Sequence, residues 1–599
     1  MIYHCEDHTC NYWDEGEKLP ERCPQCGRKL LRANEADMTG DDWTALGNTL
    51  WDAEASDKKR MVDCFRKAAY LGSAWGVCNL GICMEQGNGV EADPVQAFWL
   101  YQQAVEMGSL NAVCCLGVCY QYGIGTAPDA KQAAELYCKA AEYGSPRGQM
   151  LLARAFHDGI GVEADAAEAV YWVRAAAYQR YGEGMHRLGV CYEYGDGVEQ
   201  NWERAVHWFR EAAESGVGVA MTDLGYCYEK GCGVEQSWEQ AFSWYRRGAE
   251  CGDPVSMCNL GLCYQMGYGV EQNWQEAIKW YEQGAQCGNL QSMHNLGCCY
   301  EKGRGVEQSW EQAFSWYRRS AECGNPVSMS NLGLCYQMGY GVEQNWQEAI
   351  KWYEQGAQCG NLQSMHNLAC CYEHGEGVEQ NMTEAIRWYT AAAEGGNADD
   401  MYELGWQYDH GEGVEQDMKK AICWYERAAE QNHPAAMNSL GECYAMGRGV
   451  PRDLETAMEW YRRAAELGEA MADYNMGWHL EQAGKLSEAY THYRKAADGN
   501  DDSAWWALGR FYENGVVVAQ DGKEARRCYE TGEKLGSVKC KMRLARCKLL
   551  GIGGRRAKKA GLDLCRQALE LAKESSEKED YGYEAEMNLL RRTIAENES

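Results

Sequence analysis

The sequence predicts an all-α solenoid of about 14 helix-pair repeats, none of which can bury its apolar face alone. The first observation is a leucine followed by a small residue, which returns every 36 residues from Leu80 to Leu440. The second is a pair of columns, from Gly87 to Gly447 and from Gly89 to Gly449, that contain only glycine. The third is a column of helix-capping residues, from Asp93 to Asp453, between the two helices of each repeat.

The first helix of a repeat is predicted in residues 219–231. Met221, Leu224 and Tyr228 keep the spacing of an amphipathic helix whose apolar stripe faces a core. Glycine without exception at the position of Gly231 predicts a helix end in the left-handed conformation, which strains any residue with a Cβ.

The second helix begins after an N-cap residue that is Asp, Asn or Ser in all eleven 36-residue units. A Gln or Glu follows three residues later in eight of them, as in Ser237 and Gln240, which predicts a capping box. Tryptophan follows the cap by seven residues in nine units, usually with an aromatic neighbour such as Tyr245. We interpret these aromatics as core residues that pack against small residues of neighbouring repeats, and not as a cofactor site.

Composition and charge limit the class of function. The formal charge of −31 disfavours nucleic acid as a partner, because phosphate binding relies on Lys and Arg. The amino terminus, MIYHCEDHTC, has no signal-peptide pattern, and no run of about 18 apolar residues occurs. The expected protein is therefore cytoplasmic, with no membrane as a partner.

The cysteine pattern favours a reducing compartment. Of the 31 cysteines, nine occupy one core column of the repeat, from Cys83 to Cys443. A small residue at a core position behaves as a buried hydrophobe, which free cysteine resembles. No second column supplies a disulfide partner in every repeat, so the pattern favours the cytosol over an oxidising compartment.

The repeat, written LGxCYExGxGVEQxWEQAxxWYRRxAExG, resembles the Sel-one-like repeat, an α/α solenoid unit related to the tetratricopeptide repeat. The resemblance covers about 500 residues. It implies a right-handed superhelix and a non-enzymatic function as a scaffold or adaptor that binds a protein partner. Secreted members of the family carry a disulfide in each repeat. Here the column before AAE is mostly Ala or Gly, so that part of the resemblance fails.

The predicted organisation has three parts: a four-cysteine module in residues 1–33, the solenoid in 34–547 and capping helices in 548–599. The terminal units depart from the repeat pattern, as expected for repeats that face water on one side. Residues 228–299 and 300–371 are nearly identical copies. A feature found in both copies is therefore one independent observation.

The amino-terminal module contains Cys5, Cys10, Cys23 and Cys26, four soft ligands that could close a tetrahedral metal site. The sequence Cys-Pro-Gln-Cys-Gly predicts the tight turn that such sites use, and His8 is the alternative to Cys10. About 30 residues are too few for a core, so a metal would supply the folding energy. The module resembles a rubredoxin-like zinc ribbon, which implies zinc, with iron as the alternative.

A rival function from another class stays open. In this alternative the ribbon is the functional module, as an electron carrier or a nucleic-acid reader, and the solenoid serves only to position it. His294 with Cys298, and His366 with Cys370, have the spacing of a metal pair on one helix face, but the second pair is a copy of the first. Phosphate-binding and metalloprotease motifs are absent from the sequence.

The candidate partner-binding groove is the face of the first helix opposite its constant apolar stripe. By resemblance to tetratricopeptide-like solenoids, this face lines the concave side. Its variable columns hold apolar, aromatic, His and Asn side chains, and the Asn amides could bond an extended peptide backbone. The predicted groove residues are Tyr226, Asn259, Leu262, His294, Asn295, Asn331, Leu334, His366, Asn367, Tyr402 and Trp406. The alternative is that these columns form a second packing seam.

Overall fold

The computed structural model describes residues 2–5, 13–15, 30–33, 35–51, 55–578 and 584–598. Within each of two compact units, the helices follow one another as antiparallel neighbours in repeating pairs, which confirms the predicted α/α solenoid. The chain divides into two compact units, Met1–Ser309 and Trp310–Ser599.

Three short strands open the first unit: β1 (Ile2–Cys5), β2 (Trp13–Glu15) and β3 (Leu30–Ala33). They form an antiparallel sheet with β1 in the centre, in which Cys5 pairs with Leu30. Of the residues predicted to bind metal, Cys10, Cys23 and Cys26 lie outside the described residues, as does the alternative ligand His8. For Cys5, only the backbone is described.

The helices of the first unit follow a 3-10 turn at Glu35–Asp37. They are α1 (Gly40–Thr49), α2 (Ala55–Tyr70), α3 (Ala74–Gln86), α4 (Pro94–Glu106), α5 (Leu110–Tyr122), α6 (Ala130–Glu142), α7 (Pro146–Asp158), α8 (Ala166–Tyr178), α9 (Gly182–Tyr194), α10 (Trp202–Glu214), α11 (Gly218–Lys230), α12 (Trp238–Glu250), α13 (Pro254–Met266), α14 (Trp274–Gln286) and α15 (Leu290–Lys302).

The helices of the second unit continue the same alternation. They are α16 (Trp310–Glu322), α17 (Pro326–Met338), α18 (Trp346–Gln358), α19 (Leu362–His374), α20 (Met382–Glu394), α21 (Ala398–His410), α22 (Met418–Glu430), α23 (Pro434–Met446), α24 (Leu454–Glu466), α25 (Ala470–Gln482), α26 (Leu486–Asp498), α27 (Asp502–Asn514), α28 (Gly522–Lys534), α29 (Val538–Leu550), α30 (Lys558–Lys578) and α31 (Glu584–Glu598). From α1 to α30, odd numbers are first helices and even numbers are second helices.

Most second helices pack a buried tyrosine against the paired first helix. The ring of Tyr245 lies on Gly225, and its hydroxyl donates a hydrogen bond of 2.8 Å to the carboxylate of Glu229. We call the tyrosines at this position the tyrosine column; its buried members are Tyr101, Tyr137, Tyr245, Tyr281, Tyr317, Tyr353, Tyr389, Tyr425, Tyr461, Tyr493 and Tyr529. This column confirms the prediction that the aromatics of the second helix include core residues.

The tryptophans beside the tyrosine column are only half-buried. The guanidinium of Arg247 lies 4.2 Å from the ring centre of Trp244, and Arg427 lies at the same distance from Trp424. A cation over an indole face contributes about 0.5–1 kcal/mol at an exposed site. The tryptophans therefore pack against the edge of the core, whereas the tyrosines lie inside it.

The loop after each first helix is held by a close backbone approach. Gly231 and Gly233 have φ values of 74° and 68°, in the left-handed region. A Cβ on Gly233 would collide with the carbonyl oxygen of Trp202, at the start of the preceding second helix. The second invariant glycine therefore serves packing between repeats as well as backbone conformation.

The N-cap of the second helix forms only half of the predicted capping box. The hydroxyl of Ser237 accepts a hydrogen bond of 3.3 Å from the backbone N–H of Gln240. The backbone N–H of Ser237 donates instead to the carbonyl of Tyr228 in the first helix, at 2.9 Å. In a complete capping box, the side chain of Gln240 would accept a hydrogen bond from the backbone N–H of Ser237. Here the paired first helix accepts that bond instead.

The glutamine of the GVEQ motif also caps a helix. The side-chain amide of Gln236 donates a hydrogen bond of 2.7 Å to the carbonyl of Glu229, and Gln272 and Gln344 form the same bond with the carbonyls of Gln265 and Gln337. Carbonyls in the last turn of a helix have no partner within the helix, so this side chain satisfies one of them.

The cysteine column lies in the core. Cys227 and Cys263 are free, buried thiols, and burial raises the pKa of each to about 12. A thiol with so high a pKa is protonated and inert at neutral pH. The interpretation of this column as small buried hydrophobes is confirmed.

Replacing Gly233 with Ala should destabilise the protein more than replacing Gly252 with Ala. Both glycines have positive φ, which costs a residue with a Cβ about 1–2 kcal/mol. Only at Gly233 would the Cβ also meet the backbone, since at Gly252 the space is open. The urea denaturation midpoints of the two variants measure the difference, and equal losses would show that the loop can move away.

Candidate functional site

The first helices form a continuous row within each unit. Neighbouring first helices contact each other, for example α11 with α13 in the first unit and α17 with α19 in the second. On α13, Leu260, Gly261 and Cys263 are buried against the second helix and adjacent repeats. The opposite side of α13, where the groove was predicted, is partly open to solvent, because Leu262 is exposed although Cys258 is buried.

The open side of α13 carries an apolar stripe around one amide. Val255, Asn259, Leu262 and Met266 are spaced by four, three and four residues, which aligns them on one helix face. Val255 is 47% exposed, Leu262 39% and Met266 49%. We call these four residues the α13 stripe. Contiguous apolar surface on a soluble protein often marks an interaction site.

The first helix α17, in the second unit, carries the same stripe. Val327, Leu334 and Met338 are exposed to a similar extent, and Asn331 lies between them. We call these four residues the α17 stripe. The two helices are copies from the internal duplication, so they provide one observation. The sequence predicted the Asn and Leu of each stripe but did not single out Val255, Met266, Val327 and Met338, which the four-three-four spacing could have revealed.

The predicted groove asparagines do not all present a free amide. Asn295 accepts a hydrogen bond of 2.9 Å from Gln291 and donates one of 3.8 Å to the sulfur of Cys258. Asn367 accepts a similar bond of 3.0 Å from Gln363. A peptide that used these two amide oxygens would have to displace or share the existing bonds.

The predicted aromatic groove residues differ in exposure. Tyr226 on α11 is exposed, and the ammonium of Lys230 lies 5.8 Å from its ring centre. On α21, Tyr402 is half-buried and stacks on His433 with ring centres 4.9 Å apart. Trp406 stacks on His410, with a separation of 4.3 Å.

His366 joins a buried carboxylate to a thiol. Its Nδ1 lies 2.7 Å from Oδ1 of Asp400, a side chain with no solvent exposure, and its Nε2 lies 3.6 Å from the sulfur of Cys370. The hydrogen bond to Asp400, assisted by Cys370 and opposed by burial, raises the pKa of His366 to about 10. The sequence missed this pairing because Asp400 lies in the following repeat, 34 residues away.

The copy of this histidine has a different environment. His294 lies 3.5 Å from Cys298, but burial lowers its pKa below the ordinary value. The position that matches Asp400 is occupied by Ser328 in the sequence. Two near-identical repeats therefore hold histidines whose pKa values shift in opposite directions.

The described residues show neither a metal cluster nor a membrane span. Within the described ranges, no three His, Cys, Asp or Glu side chains are placed to hold a metal ion. Among the described helices, none combines the length and apolar content needed to cross a membrane.

The repeat geometry agrees with the comparison to protein families. The Sel1 repeat model matches 13 segments, which begin with residues 76–109 and 112–145 and end with 470–501 and 504–537. The chain belongs to the Sel1 repeat family. Among curated proteins, no sequence matches it.

Several solved structures are similar to this Sel1 repeat protein, and two of them overlap with the chain as follows. One is c5321, described as a protective antigen with an SLR fold in uropathogenic Escherichia coli strains. It is 33% identical, with 75% of this chain and 97% of that chain covered and a TM-score of 0.50. A Sel1 repeat protein from Oxalobacter formigenes is 31% identical, with 41% and 96% covered and a TM-score of 0.38.

His366 should stabilise the protein in a pH-dependent way. Its folded pKa of about 10 lies above the ordinary value of 6.5, so its contribution is complete below pH 6.5 and is lost as the pH rises to about 10. We expect His366→Gln to lower the urea midpoint most at pH 6 and least at pH 10.

The matched control is His294→Gln, since a lowered pKa reverses the sign of the dependence. Its effect should not decline between pH 6.5 and pH 10. A pH-independent loss in His366→Gln would mean that the pairing with Asp400 does not raise the pKa.

Proposed function

We propose that this Sel1 repeat protein is a non-enzymatic scaffold that binds a partner polypeptide along the exposed face of its first helices. Sel1 repeat solenoids are typically protein–protein interaction scaffolds. The observation that carries the proposal is the α13 stripe, in which three large apolar side chains are exposed to solvent.

The energetics of the stripe favour a binding role. Fully burying a Val, Leu or Met side chain contributes about 1.5–3 kcal/mol. Leu262 retains over a third of its surface, so a partner that covers it recovers part of that free energy. Asn259, in the middle of the stripe, provides a polar group that can fix the register of the bound segment.

We further propose that Cys5, Cys10, Cys23 and Cys26 hold zinc, with iron as the alternative. The pairing of Cys5 with Leu30 supports this, because Cys26 precedes Leu30 by only four residues of chain. Four residues span at most about 14 Å, so the chain allows Cys26 to approach Cys5. When bound, the metal would supply the folding energy of a structural module that caps the solenoid or docks a second protein.

Changing Leu262 and Leu334 together to Asp should abolish partner capture and leave the urea midpoint nearly unchanged. Both side chains are exposed, so a charge there meets water in the free protein. The measurement is affinity capture from the native cell, with identification of the proteins that wild type retains and the variant loses.

The control changes Leu260 and Leu332 to Ala. These leucines are fully buried, and truncating a core leucine costs about 2–5 kcal/mol. If the Asp variant is destabilised as much as this control, the exposed column is a packing seam and the groove is misplaced.

Changing Cys23 or Cys26 to Ser should release the bound metal and leave the helical circular dichroism of the solenoid intact. Metal analysis of the purified chain decides between zinc and iron, which gives a coloured protein. Retention of stoichiometric metal in both variants would disprove the ligand assignment. A large loss of helicity would show that the repeats depend on the module.

A further inference from the structure

The tyrosine column is interrupted once by an aliphatic residue in the first unit. At this position α8 has Val173, which has no ring, and the paired first helix α7 has Ala153 where most repeats have glycine. The third member of the usual contact, the acceptor for the tyrosine hydroxyl, is replaced by His157. All three positions of the contact therefore change together in one repeat.

A cavity of about 390 Å³ lies at this interruption. Its wall includes Val173, Ala153 and His157, the counterparts of Tyr245, Gly225 and Glu229. Met150 and Val170 add further apolar surface, and Cys191 of α9 closes one side. The cavity thus occupies the place where a regular repeat holds its tyrosine ring.

The mouth of the cavity is polar and partly exposed. His157 bridges two carboxylates, with Nδ1 2.7 Å from Asp158 and Nε2 3.2 Å from Asp196. Arg187 also contacts Asp196, at 3.5 Å. The hydrogen bond from His157 is the main cause of the lowered pKa of Asp158, which stays ionised at neutral pH.

We propose that this cavity binds a phenol ring, the side chain of a tyrosine in a partner polypeptide, in place of the tyrosine that this repeat lacks. Val173 and Ala153 would pack against the ring as Gly225 packs against the ring of Tyr245. The hydroxyl would reach the mouth, where the carboxylate of Asp196 accepts a hydrogen bond as Glu229 does for Tyr245.

The charges at the mouth select a neutral phenol over a phosphorylated one. Asp158, Asp196 and Glu183 line the cavity with His157, Arg154 and Arg187. Arg154 already pairs with Asp158 and Arg187 with Asp196, so a phosphate would displace these pairs and meet negative charge. A neutral hydroxyl fits the existing bonds.

This proposal rests on the proposed scaffold function in one respect, which is that the phenol ring belongs to a partner polypeptide. Arg154, Arg187 and Met150 belong to first helices, so the cavity opens near the face proposed to bind a partner. The cavity itself can be tested without any partner.

The test uses 4-methylphenol, which is the tyrosine side chain, titrated into the full-length chain and followed by ligand-observed NMR. We expect saturable binding to the wild type. The double change Ala153→Gly with Val173→Tyr restores the regular contact and fills the cavity, so binding should weaken by more than about tenfold. Equal binding to the double variant, or no saturable binding to the wild type, overturns the proposal.

Two further binding experiments test whether the cavity is independent of the groove and whether it accepts a tyrosine within a polypeptide. Leu262→Asp with Leu334→Asp should bind 4-methylphenol like the wild type, so failure of the groove proposal does not affect this result. A short blocked tyrosine peptide should compete with 4-methylphenol, and its phenylalanine counterpart should compete less. A phenol site that the tyrosine peptide cannot enter would overturn a polypeptide as the source.

A crystal structure of the wild type soaked with 4-methylphenol decides the case if the double variant does not fold. A ring over Val173 supports the proposal. A wild-type cavity without a ring, or a ring bound only elsewhere, overturns it.

Discussion

The packing of a tyrosine ring on a helical glycine determines the geometry of most repeats. In the repeat of Tyr245, a Cβ on Gly225 would lie 2.6 Å from the ring, so glycine lets the two helices approach to ring contact. Glycine inside a helix costs about 1 kcal/mol relative to alanine. Burial of a large aromatic side chain offsets that cost. The hydroxyl would be costly to bury alone, and the carboxylate of Glu229 on the same helix as the glycine satisfies it.

The loop between the paired helices follows from the same close approach. Once the helices are in contact, the backbone N–H of Ser237 reaches the carbonyl of Tyr228, and the Gln236 amide reaches the carbonyl of Glu229. Gly233 then lies directly on the backbone of the preceding repeat. An inserted or deleted residue would break all of these bonds together, which explains why the period stays at 36 residues between Leu80 and Leu440.

Periodicity predicted the helices, the left-handed glycines, the N-caps and the buried cysteines because each depends on residues close in sequence. It did not show that Trp244 is half-buried beside Arg247, since a column that holds tryptophan in most repeats has the same sequence pattern in a core and at its edge. The pairing of His366 with Asp400 was also missed, because it joins different columns of successive repeats. The groove was predicted from variable columns. The full α13 stripe required knowing which of them align on the open side.

Most contacts in the solenoid use the same columns in every repeat. A repeat can therefore differ from its neighbours in chemical properties at only two kinds of position. On the open face of the first helices, a substitution changes chemistry without changing shape, as where Leu262 is followed one repeat later by Cys298. In the interior, a substitution changes shape, because the neighbours are fixed by the repeat and cannot fill the space. Val173 is such a case, and the cavity beside it follows from the loss of a ring that the surrounding repeats retain. In a regular solenoid, the sites with distinct properties are therefore found where a repeat departs from its own pattern.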